Sequence, residues 1–216
     1  PVAIEVFSGN TGDPTTFTAQ VNKIRKRFGI QRVALVGDRG MITSKRIKED
    51  LREVEGLDWI TALRADSIKK LVDQQAIQLS LFDERDLAEV TSSDYPGERL
   101  VVCRNPLLAD ERARKRKELL KAAEKKLDAV VAAVSREKRP LRGKDKIGLR
   151  VGRDLKSTKM QKHFELTIKD DSFSYRRLDD HIAAEAARDG LYVVRTSLPV
   201  ETLSAEQTVA AYKDLS

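Results

Sequence analysis

Cysteine is almost absent from this chain: there is one, Cys103, in 216 residues. An intrachain disulfide is excluded, and a reducing, cytoplasmic setting is expected. Cys103 lies in the strand-like run Arg99-Leu-Val-Val-Cys-Arg104 and reads as a small buried apolar residue. Histidine is scarce too. His163 and His181, with a single cysteine, do not make a zinc site, and they support no Ser/His or Cys/His nucleophile. Aromatic residues reach only 5%, which argues against a base-stacking platform for single strands. No apolar run approaches the roughly 18 residues needed to span a membrane. There is no signal peptide either. The chain opens on Pro1-Val-Ala-Ile-Glu-Val6, already strand-like and without an initiator methionine, as if cut from something longer.

What is plentiful is charge. With 35% charged and 40% hydrophobic residues, the composition is that of a globular protein with a heavily charged surface. Its length suits one large domain, or a core with a sizeable insertion. A net charge of +7 and a pI near 9.5 point to a polyanionic partner, nucleic acid before membrane. The cations are concentrated. Eight Lys/Arg stand against two Glu between Arg112 and Lys126, and eight against two Asp between Arg142 and Lys162. Arg112, Arg114, Lys115, Arg116, Lys117 and Lys121 in the first run are candidate phosphate contacts. So are Arg142, Lys144, Lys146, Arg150, Arg153, Lys156 and Lys159 in the second. The bland alternative for both runs is a solvated helix face.

The periodicity begins as α/β. Residues 2–7 read as a strand, Asp13-Pro14 as a helix start, and Phe17, Val21, Ile24 and Phe28 as one apolar face closed by Gly29. Val33–Val36 is a short apolar run ended by Gly37-Asp38-Arg39-Gly40, expected as a strand buried on both faces. A helix capped by Ser44 follows, with Ile47, Leu51 and Val54 inward, and then a strand over 59–64. After residue 65 the pattern changes. Short β-prone runs at 87–91 and 99–104 precede a helix over 107–137, in which Leu120, Ala123, Leu127, Val130 and Val134 predict packing against another helix. Arg139-Pro140 breaks it. Strands at 164–168 and 173–176 flank a turn at Asp170-Asp171. A helix at 179–188, a strand at 191–196 and a helix started by the capping box Ser204-Ala-Glu-Gln207 complete the pattern. Gly9-Asn-Thr-Gly12 is too short for a phosphate loop.

Chemistry in open α/β sheets gathers beyond the carboxyl ends of strands. Asp38, set there between two glycines, is a candidate metal ligand or catalytic base; equally, Asp beside Gly often does no more than start a turn. Residues 1–13, the helix after them and Val33-Ala-Leu-Val-Gly-Asp-Arg-Gly-Met41 resemble bacterial insertion-sequence transposases of the DDE type, which carry G-N-x-x-D and then D-R-G-M. Asp189-Gly-Leu-Tyr-Val-Val-Arg-Thr-Ser197 and Ala211-Tyr-Lys-Asp-Leu-Ser216 are similar to the stretch leading to that family's last catalytic residue. The resemblance implies an α/β, RNase H-like core with a mixed α+β insertion that contains a long basic helix. It implies a core part over 1–64, a basic insertion over 65–200, and the start of the catalytic helix over 201–216. It also implies cleavage and strand transfer at transposon ends by Mg²⁺ or Mn²⁺ held on three carboxylates.

On the resemblance, Asp38 matches the second Asp, Gly37 and Gly40 flank it, and Asn10 and Asp13 are family-motif positions. Arg39 would touch a phosphate near the metals or simply pair with a carboxylate. The first Asp would precede Pro1 and the Glu would follow Ser216, with Glu201 and Glu206 too early to replace it. Residues 1–216 alone are therefore expected to be inactive and to hold no metal stably. Double-stranded DNA is the implied partner, with a homodimer in the intact enzyme and no membrane. Two alternatives stand: a non-enzymatic DNA- or protein-binding remnant, and a metal-dependent nuclease that cuts without joining.

Overall fold

A computed structural model describes residues 21, 23, 25–27, 29–82 and 85–215. The strand expected over 2–7, Asn10, Asp13 and most of the first helix's apolar face lie outside them. Residues 21, 23 and 25–27 are helical, Val21 is buried, and Gly29 closes the segment at φ +63°. In chain order the following elements are β1 (Val33–Val36), α1 (Ser44–Arg46, continuing as a π turn Ile47–Leu51), β2 (Leu57–Ala62), α2 (Ala65–Asp73), β3 (Leu87–Val90) and β4 (Arg99–Arg104). Then come α3 (Pro106–Ser135), α4 (Lys144–Lys156), β5 (Phe164–Ile168), β6 (Phe173–Arg177), α5 (Asp179–Ala186), β7 (Leu191–Thr196) and α6 (Ala205–Lys213). They form two compact units. One comprises the described residues within 1–104 and 191–216, the other Asn105–Gly190.

Among the described residues the first unit is built on a five-stranded mixed sheet in the order β1-β2-β7-β4-β3. β1 and β2 are parallel, with Val33 opposite Leu57, and the remaining pairs are antiparallel. Strands β3, β4 and β7, which sequence periodicity groups with residues 65–200, thus share a sheet with β1 and β2. The central strands are apolar on both faces. Leu100, Val102 and Val193 pack with Ile68 and Leu71 of α2, while Val101, Cys103 and Val194 pack with Val209 of α6. The expectation that β1 is buried on both faces is corrected. Among the described residues β1 pairs only with β2, and its Val33, Leu35 and Val36 are half-buried while its Ala34 is exposed. α1 also begins differently. Thr43 rather than Ser44 is its cap, its Oγ1 accepting from the Arg46 N–H at 3.3 Å. Ser44 is instead recruited from across the sheet. α2 has no counterpart in the sequence reading, because Arg64 at its start offers no side-chain cap.

The second unit is the helices α3 and α4, the β5–β6 hairpin and the short helix α5. Asn105 caps α3 by accepting from the Leu108 N–H at 3.2 Å, with Pro106 at the first helical position. Leu120, Ala123, Leu127, Val130 and Val134 are all buried, as their spacing predicts. They pack against Ile147, Val151 and Leu155 of α4. That helix lies in the stretch read only as basic. Its start is tied down by the β5–β6 turn: Asp170 accepts from the Lys144 N–H through Oδ1 at 3.0 Å and from the Gly143 N–H through its carbonyl at 2.7 Å. β6 is fastened to α3 by Arg177, bidentate on Glu124 at 2.5 and 2.6 Å, and by the Tyr175 hydroxyl, which donates to Asp128. Gly190 closes the unit at φ +77°, where a Cβ would stand 2.5 Å from the Asn105 carbonyl oxygen.

Candidate active site and nucleic-acid face

The ladder of the first unit runs one residue past β1, the Gly37 N–H donating to Ile60 O at 3.1 Å, and then the chain turns. Asp38 makes the turn twice over. Its carbonyl accepts from Ile42 N–H at 2.9 Å, and its Oδ1 accepts from Gly40 and Met41 N–H at 2.6 and 2.8 Å. The glycines follow from these contacts. A Cβ on Gly37 would stand 2.9 Å from two Ile42 carbons, and one on Gly40 would stand 3.1 Å from Asp38 Oδ1. The N–H groups of Met41 and Gly40, aided by the Arg39 charge, hold the Asp38 carboxyl below its ordinary range. It is therefore ionised at neutral pH, and exposed. Oδ2 accepts no hydrogen bond among the described residues. One oxygen builds the turn, and the residue that carries the other is exposed.

α6 approaches the same turn. Started by the reciprocal Ser204–Gln207 capping box, it brings Tyr212 into the field of both Asp38 and Arg39. Burial pushes the Tyr212 hydroxyl above its usual pKa, the Asp38 charge adds to that, and the Arg39 charge opposes it. Arg39 itself is exposed.

Behind the turn lies a charge network that sequence reasoning missed. Glu98, with a 0% exposed side chain, is bidentate with Arg195 at 2.5 and 2.6 Å. The same carboxylate accepts from Arg52 at 3.0 Å and from the Trp59 indole at 3.3 Å. Arg195 also donates to Ser44 Oγ at 2.8 Å and lies 4.7 Å from the Tyr95 ring centroid. These residues are scattered from 44 to 195, and no local spacing announces them. A lone polar Arg195 inside the apolar run of β7 was the available signal.

A divalent cation prefers carboxylate oxygens, and Asp38 fits such an ion as one ligand. Among the described residues, no group of three or more His, Cys, Asp or Glu stands close enough to complete a metal site.

In the second unit the candidate phosphate contacts divide. Arg112, Lys115, Lys117 and Lys121 on α3 are exposed, as are Lys144, Lys146, Arg153 and Lys156 on α4 and Lys159 after it. Arg114 and Arg150 are exposed but engage Glu118 and Asp154 one turn on, at 3.1 and 2.8 Å. Arg142 caps the end of α3, donating to the Val134 carbonyl at 2.5 Å. Arg116 turns inward. Its side chain is 10% exposed, bonded to Asp189 and 3.7 Å from Glu185. Beside it, His163 is buried with Nε2 3.5 Å from Glu185, and burial pushes its pKa down. Lys125 and Lys138, exposed cations beyond the candidate set, extend the basic surface.

An ionised carboxylate at the end of a sheet strand, in a chain with basic helices, suits an enzyme that handles DNA through a bound cation. The model of the transposase DDE domain family matches residues 1–214, and the chain belongs to that family. Comparison with curated proteins and with solved structures gives no match. Transposases act on DNA. Among the described residues no helix is long and apolar enough to cross a membrane.

Proposed function

We propose that this chain forms the catalytic core of an insertion-sequence transposase, with Asp38 as the middle member of a three-carboxylate metal site. The observation that carries this is the Asp38 turn: an ionised, exposed carboxylate at the end of β1, with one oxygen uncommitted and α6 running up beside it. The parallel β1–β2 pair and the capped α6 support an RNase H-like core. The basic helices support an insertion within residues 65–200. Mg²⁺ or Mn²⁺, when bound, would activate a water or a 3′-hydroxyl and stabilise the leaving oxygen at phosphorus. The chain's own part is to hold the Asp38 carboxylate fixed through Gly40 and Met41, and to keep it ionised. Arg39 is exposed beside it and available to a phosphate. Exposed cations of α3 and α4 contact the DNA backbone; Arg116, committed to Asp189, is left out of that surface.

The test is an end-cleavage and strand-transfer assay with the transposase that carries this chain, in Mg²⁺ and in Mn²⁺. Asp38→Asn should abolish both steps and leave duplex binding within about twofold. Cleavage without joined product in the wild type would favour a nuclease. Binding with no metal-dependent chemistry would favour a DNA-binding remnant. Full activity in Asp38→Asn would overturn the assignment.

A further inference from the structure

The outer face of α4 combines exposed cations, an exposed leucine and two bare glycines. Ile147, Val151 and Leu155 bury one side of α4. On the opposite side Lys146, Leu149, Arg153 and Lys156 recur at spacings of three, four and three, so they form one ridge. All four are exposed, and Leu149 is 77% exposed. Lys146 and Lys156 have no ion-pair partner among the described residues, and Arg153 stands 3.7 Å from Asp154, which is mainly engaged by Arg150.

Along one flank of the ridge lie Gly148 and Gly152, and a Cβ added to either meets nothing within 4 Å. Glycine weakens a helix interior, and here no packing within the described structure requires it. The acids of the helix do not cancel the ridge. Asp154 is paired, and Asp145 sits in the first turn, where a helix favours an acid on its own account. The α3 ridge of Arg114, Lys117, Lys121 and Lys125 is differently built. It has no glycine, its exposed leucine (Leu107, 81%) stands two turns before Arg114 rather than between cations, and Glu118 draws Arg114 away.

We infer that α4 enters the major groove of duplex DNA with this ridge leading, an inference that rests on the DNA-processing function proposed above. The dimensions agree. A helix about 10–12 Å across fits a major groove about 12 Å wide, and Lys146 to Lys156 spans about 15 Å along the axis. Cations at the two ends of the ridge meet phosphates on either wall. Leu149 between them meets base edges, where the thymine methyl is the apolar feature available. The bare glycine flank lets the helix backbone come close to one wall. α3 then contributes to the general attraction of the unit for DNA, without entering a groove.

The test measures fluorescence-anisotropy binding of the full chain to a random-sequence 30-base-pair duplex over a salt series, with melting temperature and elution volume recorded for each variant. Gln is a better helix former than Gly and adds bulk without charge. Gly148→Gln with Gly152→Gln should raise or preserve the melting temperature and weaken duplex binding tenfold or more. Lys146→Ala and Arg153→Ala should each lower the slope of log K against log salt by about 1. Lys117→Ala with Lys121→Ala on α3 should cost less affinity than either α4 change. Equal loss from the α3 pair, or glycine variants that bind within twofold of wild type, would overturn the inference while leaving the proposed function standing. Glycine variants that change the elution volume but not the DNA affinity would mark the face as an interface between copies and overturn it too. A wild-type chain that does not bind duplex at low salt would remove both.

Discussion

The two units of this chain differ in where most of their charge stands. The sheet unit hides it: Glu98 and Arg195 are 0% and 5% exposed, and they gather Arg52, Trp59 and Ser44 around them. The helical unit displays it. Arg114 and Glu118 pair at 69% and 63% exposure, and Lys117, Lys121, Lys146 and Lys156 stand in solvent. A buried pair is a poor source of net stability but a strong constraint, because removing one partner strands a charge in a low dielectric. Exposed cations contribute little to folding and remain available to a polyanion. The buried network of the first unit fixes geometry, whereas many cations of α3 and α4 stand in solvent, with Arg116 and Arg177 committed within the second unit.

The largest expected effect breaks the first half of that contrast. Glu98→Ala leaves Arg195 buried without its carboxylate and should cost about 3–5 kcal/mol in urea denaturation. A loss under about 1 kcal/mol would place this network with the surface pairs. A smaller effect sharpens the second half. Within the helical unit, Tyr175 is one of several half-buried or buried polar groups. Its hydroxyl is pushed up to about 12, first by burial and then by its hydrogen bond to Asp128. The folded value lies above the ordinary 10.0, so the stabilisation is complete below pH 10 and lost as pH rises toward 12. Thermal melts should show stability falling across that window in the wild type and a flatter profile in Tyr175→Phe. The same slope in both would show that Tyr175 is not its source.

Much of this was legible along the chain. The face Leu120-Ala123-Leu127-Val130-Val134, the β5–β6 hairpin, the Ser204 capping box and the position of Asp38 past β1 are all local patterns, and local patterns survive folding. The misses have physical causes. β1 reads as buried on both faces because four apolar residues in a row carry no mark of the exposure that Ala34 has in the fold. α4 was concealed by its own lysines and arginines, although Ile147, Val151 and Leu155 already stand four apart. The Glu98 network joins residues whose proximity only the sheet order creates. Arg116 reads as one more cation of its run until its inward position beside Asp189 is known. The turn-forming reading of Asp38 is seen in the bonds its Oδ1 accepts, and the metal-binding reading is the one proposed above for its other oxygen.

The central claim is that the second carboxylate oxygen of Asp38 binds a divalent cation, and Mn²⁺ titration of the transposase that carries this chain, followed by amide NMR, tests it most directly. Gly40 and Met41 donate their N–H groups to that same carboxylate. Their resonances should broaden first and most strongly as Mn²⁺ is added, and Asp38→Asn should remove the effect. Broadening that spares Gly40 and Met41, or that persists unchanged in Asp38→Asn, would contradict it.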